Sequence, residues 1–205
     1  MDPKLLPAES TDVFISIKSL SPAEDGVITE IAAIPFDVAT GVYLGMENED
    51  GQPTDVYLAC PNIQEQMDDY DAKITEERML ELINKVSDDG HLPVWADDPT
   101  GSIWDAMIEL QDWLYLRTHE DSSRLWFEDC EAQKQFVAAM LACADDEEAP
   151  LVWAHTLKQE ILSAVHPGLK SVFEHIESEA PGDSVQDALA GLKKASACWE
   201  VMHPE

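Results

Sequence analysis

Carboxylates dominate the chemistry open to this chain. It carries 42 Asp and Glu against 12 Lys and Arg, a formal net charge of −30. Carboxylate oxygens are the ligands that hard cations such as Mg²⁺ and Mn²⁺ require. The histidines, His91, His119, His155, His166, His175 and His203, form no HxH or HExxH spacing, so a histidine-held metal is not indicated. Cys60, Cys130, Cys143 and Cys198 contain no CxxC pair, which argues against a zinc knuckle or a dithiol redox centre. They are expected as reduced, mostly buried thiols of a cytoplasmic protein. So negative a surface repels phosphate backbones, so direct nucleic-acid binding is not expected and a basic protein is the natural partner. The densest acids are Glu47, Glu49 and Asp50, then Asp68, Asp69 and Asp71, then Asp88 and Asp89. Further on come Asp97 and Asp98 beside Trp95, and the run Asp145, Asp146, Glu147 and Glu148. These are the candidate partner-binding residues, because dense acid matches a basic groove and Trp beside acid suits an interface. The plainer reading is solubility conferred by charge.

Any site must be positioned by the opening strands. Asp12–Leu20 and Val27–Asp37 are rich in branched and aromatic residues, and Ser21, Pro22, Asp25 and Gly26 punctuate the join like a hairpin. In the first strand Val13, Ile15 and Ile17 face one way, while Phe14, Ser16 and Lys18 face the other. Residues 1–11 read as a loose lead-in. Val42–Met46 and Asp55–Ala59 fit further strands, and 64–71 a loop or short helix. Helical spacing is expected after Thr75 and over Ser102–Leu116, around a loop at 91–101 that carries Trp95. Arg124–Phe127 fits a strand and Asp129–Ala144 a helix. Thr156-Leu157-Lys158-Gln159 has the form of a capping box opening a helix through Val165. Leu169–Glu179 and the segment after Asp183 complete the helices. No apolar run is long enough to cross a bilayer.

The opening pair resembles that of the DEDD-type 3′–5′ exonucleases, the RNase T-like group on an RNase H-like fold. Their first strand reads (apolar)-Asp-x-Glu-Thr-(apolar), and the second ends Ile-Gly-Ala-Val-x-Phe-Asp. Here the second is Glu30-Ile31-Ala32-Ala33-Ile34-Pro35-Phe36-Asp37, followed by Thr40-Gly41. The resemblance implies an α/β fold with a mixed sheet, antiparallel meander first, flanked by helices. It implies a single domain over 12–205, with a mostly helical and loop insertion around 62–122.

The resemblance also implies a two-metal site, in which Mg²⁺ or Mn²⁺ activates water and stabilises the leaving oxygen. Its carboxylates come from the first strand, from a later Asp and from a closing His-x-x-x-x-Asp helix, whose His is general base. Ser16 and Lys18 stand at the first two positions. Leu125-Trp126-Phe127 leads to Gln133 at the later Asp, and Gln186-Asp187-Ala188-Leu189-Ala190-Gly191 puts Gln186 at the His and Gly191 at the closing Asp. All five positions are degenerate, so no catalytic residue and no metal is expected. Glu30, Glu128, Asp129, Glu131, Glu160 and Asp187 are the acids that would supply relocated ligands. Lys193 and Lys194 give a small basic spot beside Gly191 or complement their helix C-terminus.

The expectation is therefore a catalytically inactive exonuclease-fold protein that binds a basic nucleic-acid-handling or defence complex. It would act as a nucleic-acid mimic or inhibitor of the phage or mobile-element type. The alternatives are an active Mg²⁺- or Mn²⁺-dependent 3′–5′ exonuclease and a structural subunit, and a homodimer is compatible with all three.

Overall fold

Strand β1 (Thr11–Ser19) runs antiparallel to β2 (Ile28–Asp37), with Phe14 opposite Ile34, Ser16 opposite Ala32 and Lys18 opposite Glu30. The computed structural model describes residues 11–49, 53–89, 99–118, 122–144, 157–162, 169, 172–173, 175–176 and 184–203; for 82, 85–89, 144 and 184 it describes the backbone alone. In the joining turn the Gly26 amide donates to the Ala23 carbonyl, and the Leu20 amide to that of Val27. A Cβ on Gly26 would lie 2.5 Å from the Ser21 carbonyl oxygen, so only glycine lets the chain fold back this tightly.

The remaining strands are β3 (Val42–Tyr43), β4 (Tyr57–Ala59), β5 (Arg124–Phe127) and β6 (Lys158–Ile161). They complete a sheet of order β3-β2-β1-β5-β6, with β4 also paired to β2. β1 and β5 are parallel, as are β5 and β6, whereas the β2 pairings are antiparallel. This is a mixed α/β sheet that opens as an antiparallel meander. β3 stops short of Met46, because the Tyr43 hydroxyl donates to the Met46 carbonyl and accepts from the Asp55 amide, closing a turn.

Helices among the described residues include α1 (Ile63–Asp69), α2 (Glu76–Asp89), α3 (Ile103–Tyr115), α4 (Cys130–Ala144) and α5 (Ser184–Met202). Ser102 caps α3 in a reciprocal capping box with Asp105. The Asp129 carboxylate caps α4 by accepting from the Glu131 and Ala132 amides at 2.9 and 2.8 Å.

Strand alternation sends the side chains of β1 into two separate cores. Val13 and Ile15 join Leu110, Met107 and Phe136 of α3 and α4, while Phe14 joins Trp126, Ile34, Ala188 and Leu192 under α5. β1 is thus buried on both faces, with α5 crossing one of them.

Within the helix expected from Thr156 to Val165, Lys158–Ile161 form strand β6 instead, while 156 and 163–165 lie outside the described residues. The ladder of β6 with β5, from Arg124 opposite Lys158 to Phe127 opposite Ile161, overrides a local pattern that favours a helix start. Residues 91–98 of the loop expected at 91–101, and most of the helix expected over 169–179, lie outside the described residues. Among the described residues all four cysteines are free, with Cys143 and Cys198 buried. Burial pushes those thiols up to about 12 and about 11 respectively, so they are inert neutral groups. No helix among the described residues is long and apolar enough to cross a membrane.

Candidate functional site

The face of β1 that carries Ser16 and Lys18 opens into a cavity of about 400 Å³. The β5–α4 turn walls one side with Glu128 and Asp129, together with Glu131 and Gln135 of α4; α5 walls the other with Asp187, Ala190 and Lys194. Chain order explains this grouping. β5 lies parallel beside β1, so the turn that follows it arrives level with the end of β1.

Ammonium–carboxylate pairs organise the cavity. Lys18 Nζ lies 3.1 Å from Asp187 Oδ2 and 3.9 Å from Glu30 Oε2, joining β1 to α5 and to β2. Lys194 Nζ donates to Glu128 Oε1 at 2.7 Å, tying α5 to the end of β5. The Lys194 side chain is only 5% exposed and its partner 47%, so the cation is deep and the anion sits at the rim. The Phe173 ring adds a cation–π contact at 5.8 Å.

Of the five positions expected to be degenerate, the structure brings Ser16 and Lys18 to the cavity wall and Gly191 against Phe14, which also lines it. A Cβ on Gly191 would lie 2.1 Å from Phe14 Cζ, so the phenyl ring fills the space a side chain would need. Gln133 points elsewhere, donating to Gln159 Oε1 of β6 at 2.6 Å. Gln186, in the first turn of α5, does not line the cavity. Among the relocated-ligand candidates, Glu128, Asp129, Glu131 and Asp187 reach it. Glu160 pairs with Lys158 at 2.6 Å on β6.

Sequence reasoning missed Gln135 and left Lys194 between two readings, a basic spot beside Gly191 and a helix-end charge. Gln135 donates to the Ser19 hydroxyl and to the Ser21 and Ala23 carbonyls, fastening α4 to the hairpin beside the cavity. Lys194 lies mid-helix and turns to Glu128 rather than serving the helix end. Its place in the buried stripe of α5, beside Ala195 and Cys198, was the available signal.

A buried carboxylate lies farther along the same face of β1. Asp12 is 2% exposed. It accepts from Trp126 Nε1 at 2.8 Å and from the Arg124 amide at 2.9 Å. Burial raises its carboxyl to about 6, against the lowering effect of those hydrogen bonds.

None of the proposed partner-binding acids among the described residues lines this cavity. Glu47 and Glu49 are exposed beyond β3, and Asp68, Asp69 and Asp71 are exposed around the end of α1. Asp68 accepts from Gln64 at 3.0 Å. Asp88 and Asp89 end α2. Asp50, Trp95, Asp97, Asp98, Asp145, Asp146, Glu147 and Glu148 lie outside the described residues. Trp104 packs partly buried against the α3–α4 core.

No protein-family model and no curated protein matches the chain. Solved structures do. The nuclease domain of 3′hExo, a DEDDh family member, bound to rAMP, superposes with TM-score 0.53 at 9% identity, covering 94% of this chain and 92% of that one. The fold is exonuclease-like. Cell-death related nuclease 4 is similar with TM-score 0.46 at 13% identity over 94% of this chain, which spans 63% of that one. A full-length 3′-exonuclease gives 0.48 at 9% identity, over 94% and 82%.

The resemblance to the exonucleases implies Mg²⁺ or Mn²⁺, and the described residues at the positions it points to do not fit a pair of such ions. Ser16 offers β1 only a neutral oxygen, and Lys18 brings a cation up to Asp187 and Glu30. Gly191 offers no ligand atom and has no room for one. Among the described residues, no three His, Cys, Asp or Glu converge to hold a metal ion.

Proposed function

We propose that this chain is a non-catalytic protein of exonuclease-like fold that engages a basic, nucleic-acid-handling protein through its carboxylates, in the manner of a nucleic-acid mimic. The observation that carries the reading is the ammonium of Lys18, held 3.1 Å from Asp187 at the end of β1. Two-metal hydrolysis needs convergent anions beside that strand. A fixed cation there repels a divalent ion and occupies a carboxylate that such an ion would need. The formal charge of −30 supplies the other half of the reading. Duplex DNA carries one charge per roughly 1.7 Å of axis, and exposed acids such as Glu47, Glu49, Asp68, Asp69 and Asp71 offer a partner's basic groove a similar target.

The competing reading is an exonuclease with relocated ligands. What favours it is that Glu128, Asp129, Glu131 and Asp187 line one cavity. Two of them already carry lysine partners, which weighs against it.

Two measurements test the proposal. Purified chain incubated with labelled DNA or RNA and Mn²⁺ is expected to release no nucleotides; release abolished by Asp187→Asn establishes the competing reading. Immobilised chain is expected to retain basic nucleic-acid-binding proteins from a host extract, to lose them steeply as salt rises, and to be displaced by duplex DNA. Retention indifferent to salt and DNA overturns mimicry.

A further inference from the structure

The cation beside β1 has its own geometry. Lys18 and Glu30 are cross-strand partners on β1 and β2, and α5 presents Asp187 to the same ammonium. Three elements therefore converge on one positive charge, at 3.1 and 3.9 Å from two carboxylates. Asp129 and Glu131 lie on the opposite wall of the same cavity.

We propose that Lys18 is a built-in cation: its ammonium stands where a divalent ion bridging Glu30 and Asp187 would bind, and it closes the cavity to Mg²⁺ and Mn²⁺. The inference concerns this cavity alone and holds whichever protein the chain engages. The argument is electrostatic and steric. Without a counter-charge, two carboxylates on facing elements repel each other, and one cation between them satisfies both. Lysine supplies that cation covalently, so no ion has to be captured or dehydrated. A hard divalent ion needs several oxygens about it. The Lys18 side chain removes one oxygen position and adds a repelling charge at the remaining ones. An ordinary surface ion pair would behave differently. Its removal would leave two solvated acids with no raised affinity for divalent ions.

The test uses the full chain and Mn²⁺ as probe, with paramagnetic broadening of backbone amide signals as the readout. In the wild type, Mn²⁺ is expected to broaden signals near scattered surface acids, with no excess at residues 30 and 187. In Lys18→Glu, saturable broadening centred on those two residues is expected at Mn²⁺ concentrations at least tenfold lower. Adding Asp187→Asn to that variant is expected to abolish it. Lys18→Met, which removes the charge and keeps the bulk, guards against misfolding of the acidic variant. Its melting temperature is expected to rise by at least 3 °C more than that of the wild type in millimolar MnCl₂. The proposal is overturned if the wild type is broadened at residues 30 and 187 as readily as Lys18→Glu. It is equally overturned if folded Lys18→Glu gains nothing, or if Lys18→Met responds to Mn²⁺ as the wild type does. The inference rests on the non-catalytic half of the proposed function and deepens it. Partner capture in metal-free buffer tests the partner-binding half alone, so a wild type that takes Mn²⁺ at residues 30 and 187 and a chain that retains no basic protein are distinguishable failures.

Discussion

Gly191 of α5 rests directly on the ring of Phe14, with the position of its missing Cβ only 2.1 Å from Phe14 Cζ. In an exposed helix interior, Gly→Ala gains roughly 1 kcal/mol from helix propensity. Here the sign reverses. Phe14 is 1% exposed and packed among Ala32, Trp126 and Ala188, so the ring moves aside only by giving up those contacts. Gly191→Ala is expected to destabilise by about 1–3 kcal/mol through overpacking, read from the urea midpoint. A stabilised variant would mean that α5 sits farther from β1 than described.

Gln66 makes a second contact that its residue type alone does not announce. Its amide accepts from the Ile28 N–H and donates to the Ile28 carbonyl, both at 2.9 Å, so α1 completes the first ladder position of β2. Gln66 is 2% exposed and Ile28 3%, so water does not replace these bonds. Gln66→Leu strands two buried backbone groups and is expected to cost roughly 2–4 kcal/mol. Gln64→Ala, on the exposed face of the same helix, is expected to fall within about 0.5 kcal/mol of wild type in the same urea titration.

How much of this was legible in the sequence follows from the range of each interaction. The β1–β2 hairpin and the α3 and α5 stripes were readable because alternation and helical spacing are local. β6 was not. Lys158, Gln159 and Glu160 carry no strand signature, and they become a strand only by pairing with a segment some 34 residues earlier, at Arg124. At the site, Ser16 and Lys18 were readable because they sit within one strand. The counterpart expected at Gln133 was not where the chain reaches the cavity, which is the β5–α4 turn at Glu128 and Asp129. Lys194 read as either a basic spot beside Gly191 or a helix-end charge, because sequence shows its neighbours on α5 but not Glu128, which lies 66 residues away.

The Lys194–Glu128 pair is asymmetric, and its two halves are expected to respond unequally. Glu128→Gln takes the carboxylate from an ammonium whose side chain is 5% exposed, an expected loss of roughly 2–3 kcal/mol. Lys194→Met removes the buried charge while keeping an apolar stem, and returns a carboxylate already 47% exposed to water, so a change within about 1 kcal/mol is expected. Equal losses in paired denaturant titrations would show that Lys194 is not the buried partner.

Asp12 gives the chain a stability component with a defined pH window. Its carboxyl is raised from 3.8 to about 6, chiefly by burial. Between those two values the folded state holds a proton that the unfolded chain has released, so this group's contribution falls as pH rises from about 4 to about 6. Above that window the charged form carries a constant penalty on the order of 3 kcal/mol, and below it the penalty vanishes. The rest of a chain with net charge −30 also gains stability on acidification as self-repulsion falls, so the wild-type profile alone does not isolate Asp12. Asp12→Asn does. The amide keeps one acceptor for either Trp126 or the Arg124 N–H and loses the other, a cost that does not change with pH. The difference between variant and wild type is therefore expected to move in the variant's favour by on the order of 3 kcal/mol between pH 4 and pH 7, measured from urea midpoints at each pH. A difference flat across that range would show that Asp12 is ionised in the folded protein well below pH 6, held so by Arg124 and Trp126.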